Sequence, residues 1–304
     1  MDYFNPESWL RVMCRPALPK DTPDVIELTS TIWEGQDYVP KTWDEWLHDP
    51  LGLLAVAEFG GRVVGLVKLT RLDSKEWWLE GLRVHPKFEG RRIASRLHDY
   101  LLDYWQRNCA GVLRLATASN RLQVHHLCER TGFRKIVELS LFGASILEDD
   151  GVAVLEDHFN LVQTAEISKV LELSYQSPVL GWASGLINLG WQWVNPSEGY
   201  ISAAIQRKQA WWWCGEQGLL LLAEDPESED EVVPFIQMLA CSPEVAGDVL
   251  LDCRRLVCTL GYTKVVWAAP LNLELQTILQ VAGFQREWEL SLVIYEKSDT
   301  GGMV

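Results

Sequence analysis

One stretch of the sequence, residues 79–97, constrains the fold more than any other. It begins as an apolar strand and passes through Pro86 into a turn that contains Gly90, Arg91 and Arg92. The apolar residues that follow recur at helical spacing, which predicts an amphipathic helix. A strand, turn and helix in this order direct backbone N–H groups and the positive end of the helix dipole at one spot, which suits a phosphate. The alternative is a pair of solvated arginines, although cations oppose the dipole there.

Charge is distributed unevenly along the chain. The sequence has 304 residues, enough for two domains, and a formal net charge of −15. Residues 1–150 contain 19 Lys and Arg against 22 Asp and Glu, whereas residues 151–304 contain 8 against 20. This balance argues against nucleic acid or an anionic membrane as a partner. It also favours the first half for binding an anionic cofactor.

Cysteines and apolar runs indicate the compartment. The seven cysteines include no Cys-x-x-Cys pair, so we expect reduced thiols and no metal site. No apolar run reaches the roughly 18 residues that span a membrane, and the first residues lack a secretory pattern. We therefore expect a cytoplasmic protein, either a monomer or a homodimer.

The order of the predicted elements indicates a mixed α/β fold. Two apolar runs flank Gly60 and Gly61, which predicts a β-hairpin. The first half reads as β-α-(α)-β-β-β-α-β-α-β, an α/β (α+β) mixed sheet with helices on its faces.

The second half of the chain repeats the end of the first. The pattern of residues 114–133, which ends in Gly132-Phe133, recurs about 150 residues later and ends in Gly283-Phe284. We therefore predict tandem domains, residues 1–150 and 151–304. The second copy has Pro243-Glu-Val-Ala-Gly-Asp where the first has its glycine-arginine turn, so we expect a degenerate domain that binds no phosphate.

Two motifs resemble signatures of the GNAT superfamily of N-acetyltransferases. Val84-His-Pro-Lys-Phe-Glu-Gly-Arg-Arg-Ile-Ala is similar to the acyl-CoA-binding signature, and Leu127-Cys-Glu-Arg-Thr-Gly-Phe is similar to the closing signature. Within the superfamily, Glu34-Gly-Gln-Asp-Tyr-Val-Pro and Leu79-Glu-Gly-Leu-Arg-Val resemble the branch containing histidine N-acetyltransferase. The resemblance implies a tandem GNAT fold with acetyl-CoA as the acyl donor.

The resemblance also implies which residues hold acetyl-CoA. The thioester would lie beside Leu82, Arg83 and Val84, where the neighbouring strands separate in this family. The pyrophosphate would lie on the turn and the start of the helix. The expected cofactor-binding residues of that second group are Glu89, Gly90, Arg91, Arg92, Ile93, Ala94, Ser95 and, after the next strand, Asn120.

Two residues are candidates for the proton transfers. Glu80 interrupts an apolar strand two residues before the cofactor segment, so its carboxylate could deprotonate an amine. Strand alternation could instead turn Glu80 outward without a role. Cys128 stands where many family members have a tyrosine that protonates the leaving thiolate. It could take that role or pack against the cofactor.

An aromatic and acidic segment is the candidate acceptor site. Trp33, Asp37 and Tyr38 could bind a cationic amine through ion pairing and cation–π contact. We therefore predict an N-acetyltransferase that acts on a small-molecule amine, such as an amino acid, by direct attack in a ternary complex. A non-catalytic acyl-CoA-binding module and a protein or peptide N-acetyltransferase remain alternatives.

Overall fold

The computed structural model describes residues 12–30, 32–147, 158–224 and 232–299, without the side chains of Trp33 and Glu34. The described chain divides into two compact units. The first contains the described parts of Met1–Leu115, Gln123–Arg134 and Glu296–Val304, and the second contains those of Ala116–Leu122 and Lys135–Tyr295. None of the helices among these residues has the length and hydropathy needed to cross a membrane.

The first unit is built on a sheet with strand order β1-β2-β3-β4-β5. Its strands are β1 (Met13–Pro16), β2 (Leu53–Phe59), β3 (Arg62–Asp73), β4 (Glu76–Val84) and β5 (Val112–Ala118). Its helices are α1 (Thr22–Thr29), α2 (Val39–His48), α3 (Ile93–Asn108) and α4 (Leu122–Arg130). The predicted hairpin is present, with β2 and β3 antiparallel around Gly60 and Gly61.

Different helices cover the two faces of this sheet. On one face, Leu54, Val56 and Leu66 form a buried cluster with α1 and α2. On the other face Gly65 lies against Leu97 of α3, so closely that a Cβ at position 65 would lie 3.0 Å from that side chain. The sheet therefore has an α1–α2 face and an α3 face.

The second unit is built on a sheet with strand order β6-β13-β12-β11-β10-β7, and β14 also pairs with β6. Its strands are β6 (Arg134–Ser145), β7 (Phe159–Leu161), β8 (Ile187–Asn188), β9 (Trp193–Val194), β10 (Ala210–Trp213), β11 (Gly218–Glu224), β12 (Pro234–Cys241), β13 (Lys264–Pro270), β14 (Gln285–Arg286) and β15 (Leu292–Ser298). Its helices are α5 (Ile167–Gln176), α6 (Pro178–Trp182), α7 (Glu198–Gln206), α8 (Pro243–Thr259) and α9 (Leu273–Val281). Strands β8 and β9 form a separate hairpin.

The two units do not coincide with the two sequence copies. Strand β6 closes the first copy in sequence, yet it belongs to the second unit and pairs with β13 over seven residues. The end of β15 closes the second copy, yet from Glu296 onwards it belongs to the first unit. The boundary near residue 150 thus separates the copies in sequence, but the compact units divide elsewhere.

A buried histidine on α3 should make the first unit sensitive to acid. His98 is 1% exposed, its Nε2 lies 3.0 Å from the Thr131 hydroxyl, and burial lowers its pKa to about 4. The unfolded value is near 6.5, so the unfolded chain takes up the proton first. The stability that neutral His98 contributes is therefore complete above about pH 6.5 and is lost as the pH falls towards 4, by about 3 kcal/mol.

Urea unfolding of the wild type and of His98→Gln at pH 7 and pH 4 measures this loss. We expect the free energy of unfolding to fall less in His98→Gln than in the wild type over this range. Equal losses in both proteins would show that His98 does not set the acid sensitivity.

Candidate active site

Strand β4 contains a β-bulge in the middle of the predicted catalytic segment. Glu80 pairs with Lys68 of β3 and Arg83 pairs with Leu66, so two residues of β4 lie opposite one residue of β3. Gly81 in the bulge has a φ of +65°, which glycine adopts at little cost. Residues directly opposite each other in antiparallel strands share a face. Glu80 and Arg83, three positions apart, therefore both lie on the α1–α2 face.

The bulge corrects the simple alternation expected for this strand. In a regular strand, side chains alternate between the two faces, which would put Glu80 on the same face as Leu82 and Val84. Val84 instead pairs with Gly65, which lies on the α3 face. A Cβ on Gly81 would lie 2.6 Å from the indole of Trp46, so α2 packs directly on the bulge.

Arg83 and Asp37 form a buried bidentate ion pair. Arg83 Nε donates to Asp37 Oδ2 at 2.9 Å, and Arg83 Nη2 donates to Asp37 Oδ1 at 3.0 Å. Asp37 is 4% exposed, and its Oδ1 also accepts from the Val39 amide at the start of α2. The role of Asp37 in binding the amine acceptor stays a prediction, and in the structure its carboxylate is buried and engaged by Arg83 and the Val39 amide.

Tyr38 packs on the guanidinium of this ion pair and lies within electrostatic range of Glu80. Its ring is 5.3 Å from the Arg83 guanidinium carbon and packs edge-on against Trp46. Burial raises the pKa of the Tyr38 hydroxyl to about 12; Arg83 opposes this rise, and Glu80 and Asp37 add to it. The hydroxyl is therefore protonated at neutral pH.

Glu80 is partly buried and oriented by a neighbouring hydroxyl. The Thr70 hydroxyl on β3 donates to Glu80 Oε1. Lys68, directly opposite Glu80, is 1% exposed and forms an ion pair with Asp49. Glu80 is thus held among polar groups on the face that carries Tyr38, which is an arrangement that suits a proton acceptor.

The turn after β4 has the geometry expected of a phosphate cradle. Gly90 has a φ of +73°, and a Cβ there would meet nothing within 4 Å. Arg92 is the N-cap of α3, in the left-handed region with a φ of +59°, and within the described chain no side chain caps the first turn. Arg91 lies over the ring of Phe88, at 5.2 Å. The left-handed conformation explains why glycine is common at the position of Arg92 in the family signature.

Beside this turn the two parallel strands separate. Strand β4 is in register with β5 from Glu76 to Trp78, and the register ends there among the described residues. The segment Leu82–Val84 lies beyond that point. The resemblance to the family predicts that the thioester lies along the edge of this segment.

Two other predicted site residues differ in exposure, and the side chain of a third is not described. Cys128 is fully buried and burial raises its pKa to about 12, which favours the packing alternative, and its role as acid for the leaving group stays a prediction. Asn120 is exposed in the turn after β5 and belongs to the second unit. The side chain of Trp33 lies outside the described structure. No group of three or more potential metal ligands occurs among the described side chains.

The corresponding region of the second unit is filled. The register of β12 and β13 is the single pair Phe235↔Val266. Apolar side chains pack where these strands separate and leave a cavity of about 10 Å³, lined by residues that include Leu180, Trp193, Met238 and Trp267. Helix α8 also begins directly at Pro243, without the glycine-arginine turn. The second unit thus shares the strand separation but lacks the glycine-arginine turn that makes the first a candidate acyl-CoA site.

Comparison with known proteins identifies the class of the first unit. Residues 22–133 match the sequence model of the acetyltransferase (GNAT) family. A human protein named probable N-acetyltransferase 16 is 31% identical over 97 residues, which are 32% of this chain and 26% of that protein. Histidine N-acetyltransferase of Xenopus tropicalis is 31% identical over 87 residues, which are 28% of this chain and 27% of the relative. The matched parts thus span about a quarter of each of these relatives.

Solved structures support the same fold for nearly the whole chain. A GCN5-related N-acetyltransferase from Sphaerobacter thermophilus has a TM-score of 0.62 at 11% identity, covering 96% of this chain and 97% of that one. A tandem GNAT protein from the clavulanic acid biosynthesis pathway has a TM-score of 0.55 at 13% identity, covering 96% and 100%. Residues 22–133 match the GNAT acetyltransferase family model, and the predicted mixed α/β tandem GNAT fold is confirmed.

Sequence reasoning missed how the site is assembled. Asp37 and Arg83 lie 46 residues apart, one in each of the two short motifs that resemble the histidine N-acetyltransferase branch, and their ion pair joins the motifs. The missed signal was Gly81, a glycine inside a strand pattern, which often marks a bulge.

Proposed function

We propose that the protein is an acetyl-CoA-dependent N-acetyltransferase that acetylates the primary amine of a small molecule. The observation that supports this proposal is the bulge in β4, which turns Glu80 and Arg83 to one face of the strand that leads into the glycine-arginine turn, within the residues that match the acetyltransferase (GNAT) family model. An amino acid is the proposed acceptor class, because relatives of this domain are named histidine N-acetyltransferases.

The residues present fit acetyl-CoA. The uncapped first turn of α3 and the open space above Gly90 offer backbone N–H donors to the pyrophosphate, with Arg91 and Arg92 beside it. The edge of Leu82–Val84 would hold the pantetheine end. When bound, acetyl-CoA supplies the acetyl group as a thioester.

Glu80 would prepare the acceptor amine for attack. An ammonium group must lose a proton before its nitrogen can attack, and Glu80 would accept that proton directly or through water. The Thr70 hydroxyl holds the carboxylate in place and stabilises its charged form. Cys128 is fully buried, and whether its thiol or another group protonates the leaving thiolate stays open in this proposal.

A non-catalytic acyl-CoA-binding module is the second candidate. The observation that favours it is the buried Cys128, which leaves the position of the usual tyrosine acid without a hydroxyl. Such a protein would bind acetyl-CoA without transferring the acetyl group.

Thiol release from acetyl-CoA, measured with a panel of amino acids, other small amines and basic peptides, tests the proposal. We expect turnover with at least one small amine and a fall in kcat of about 100-fold or more in Glu80→Gln. Tight CoA binding without turnover would instead support the module, and turnover with peptides alone would overturn the small-molecule assignment. Glu45→Gln, at an exposed position of α2, is a control that should retain activity.

A further inference from the structure

A buried aspartate on α8 contacts three polar side chains beside an open pocket in the second unit. Asp252 is 4% exposed. Its Oδ2 accepts from Trp213 Nε1 on β10 at 2.8 Å, and His158 Nδ1, just before β7, lies 2.8 Å from the same oxygen. Its Oδ1 accepts from Arg255 Nη1, also at 2.8 Å. Both carboxylate oxygens are thus engaged, and Arg255 compensates their charge.

The carboxylate of Asp252 fixes the tautomer of His158. An ionised carboxylate only accepts hydrogen bonds, so the proton between the two side chains belongs to Nδ1 of the imidazole. In the neutral ring the other nitrogen, Nε2, is then a hydrogen-bond acceptor. Within the part of the chain that the structure describes, Nε2 makes no hydrogen bond, and the His158 side chain is 40% exposed. Asp252 thus holds an available acceptor at the pocket.

The pocket that His158 lines combines a carboxylate with apolar surface. Its volume is about 260 Å³, slightly below the roughly 300–1,000 Å³ of pockets that hold drug-sized ligands. Leu251 and Trp213 supply apolar surface. Asp248 also lines the pocket, and it lies one helical turn before Asp252, on the same side of α8. A pocket of this size and composition suits a small molecule with a polar head and an apolar chain.

The charges around the pocket favour a cation. Arg255 and Asp252 compensate each other in their ion pair. Burial raises the pKa of the Cys214 thiol, and Asp252 and Asp248 add to the rise, so this nearby thiol is uncharged at neutral pH. Asp248 is exposed and forms no ion pair among the described residues, so a neutral His158 leaves the pocket with one negative charge. The excess of 20 acidic over 8 basic residues in the second half of the sequence also attracts cations.

We propose that this pocket binds a small organic cation, namely a primary ammonium group with a short apolar chain. The ammonium group donates to His158 Nε2 and pairs with the Asp248 carboxylate, while the chain packs against Leu251 and Trp213. An anion would meet the charge of Asp248, and the guanidinium that could hold it is already paired with Asp252. The proposal concerns the second unit and does not rest on the proposed function.

Isothermal titration calorimetry of the full chain with butylammonium, butanol and butyrate tests the proposal. The three probes have similar apolar chains and differ in the charge of the head group. At about pH 8, where imidazole groups are in general neutral, we expect saturable binding of butylammonium alone. Absence of butylammonium binding, or equal binding of butanol, would overturn the proposal. Tighter binding of butyrate would overturn it in favour of an anion site, and binding of Zn²⁺ without butylammonium would overturn it in favour of a metal site.

Substitutions locate the binding of butylammonium in the pocket. Asp248→Asn should weaken it about 2- to 5-fold, as expected for an exposed ion pair. His158→Phe keeps an aromatic ring without the acceptor and should weaken binding by up to about 10-fold. Glu244→Gln removes the same charge from the first turn of α8, outside the residues that line the pocket, and should leave the affinity unchanged. Wild-type affinity in Asp248→Asn and His158→Phe would contradict the proposal. Because Asp248 is exposed, Asp248→Asn tests it even where His158→Phe does not fold.

The tautomer of His158 provides a readout that a merely structural role would not change. In ¹⁵N NMR of the full chain labelled at histidine, the His158 signals are those absent from His158→Phe. We expect a proton on Nδ1 and a shift of the Nε2 signal on addition of butylammonium. The signals of His126, whose side chain on α4 is 80% exposed, should not move. A proton on Nε2 of the neutral ring would overturn the proposal. None of these measurements needs acetyl-CoA, so their outcome is independent of acetyl transfer.

Discussion

Gly81→Ala should be among the most damaging single substitutions in the first unit. A Cβ at this position would lie 2.6 and 2.7 Å from two atoms of the Trp46 ring, closer than carbon atoms pack. A left-handed conformation at φ +65° costs a residue with a Cβ about 1–2 kcal/mol, and forced overpacking adds about 1–3 kcal/mol. We therefore expect the free energy of unfolding to fall by about 2–5 kcal/mol.

Activity should fall further than stability alone explains. Shifting α2 or straightening the bulge would rotate Glu80 and Arg83 away from their common face, and a displacement of about 1 Å can cost about 100-fold in rate. Urea unfolding and kcat/KM for the best acceptor of the amine panel measure the two effects at a temperature where the variant is folded.

Gly60→Ala separates steric conflict from backbone strain. Gly60 has a similar φ of +59° in the β2–β3 turn, and a Cβ there would meet nothing within 4 Å. This variant should show only the strain cost and normal kinetics. A Gly81→Ala protein as active and as stable as Gly60→Ala would contradict the packing of Trp46 on the bulge.

Local patterns made the outline of the first unit predictable. The Gly60-Gly61 turn, the apolar run of β4 and the helical spacing after Arg92 each report on neighbours in sequence, and each is present in the structure. The turn of Gly90, Arg91 and Arg92 before the helix was predictable for the same reason, and its binding of phosphate stays a prediction.

The site itself depends on contacts that no local pattern encodes. The one extra residue of the bulge at Gly81 reverses the face of every side chain that follows it in β4. Strict alternation along the strand would therefore group Glu80 with Val84, whereas in the structure Glu80 shares a face with Arg83. Asp37 was interpreted as an acid among aromatics that could bind an amine, whereas its partner Arg83 lies 46 residues away. Cys128 matched a catalytic position in the family signature, but only packing shows that it is buried.

The exchange of closing strands could not be predicted either. Strand β6 mixes charged residues such as Arg134, Lys135 and Glu138 with apolar ones, and this local pattern does not say which strand it pairs with. The partner of β6 is set by pairing between residues far apart in sequence, as in its seven-residue register with β13.

Arg114→Met should destabilise the first unit strongly, because Arg114 is the centre of a buried ionic cluster. Arg114 lies on β5, is 2% exposed, and pairs with Glu76 of β4 and with Glu296 near the end of β15. Methionine keeps most of the side-chain volume but leaves two largely buried carboxylates without their shared cation. Breaking a buried pair in this way costs about 3–5 kcal/mol. Chemical denaturation at pH 7 measures the loss.

The size of this loss of stability depends on whether Glu76 and Glu296 remain buried and charged after Arg114 is replaced. Replacing all three groups together, as Arg114→Met/Glu76→Leu/Glu296→Leu, removes the unpaired charges and should recover most of the lost stability. An exposed pair gives the matched control: Arg107 and Asp103 on α3 are 75% and 62% exposed, and Arg107→Met should change stability far less. Equal effects of Arg107→Met and Arg114→Met would contradict the burial of the cluster.

Because Glu296 is the contact that the last strand makes with Arg114, a strong effect of Glu296→Gln alone would show that the returning end of β15 stabilises the first unit.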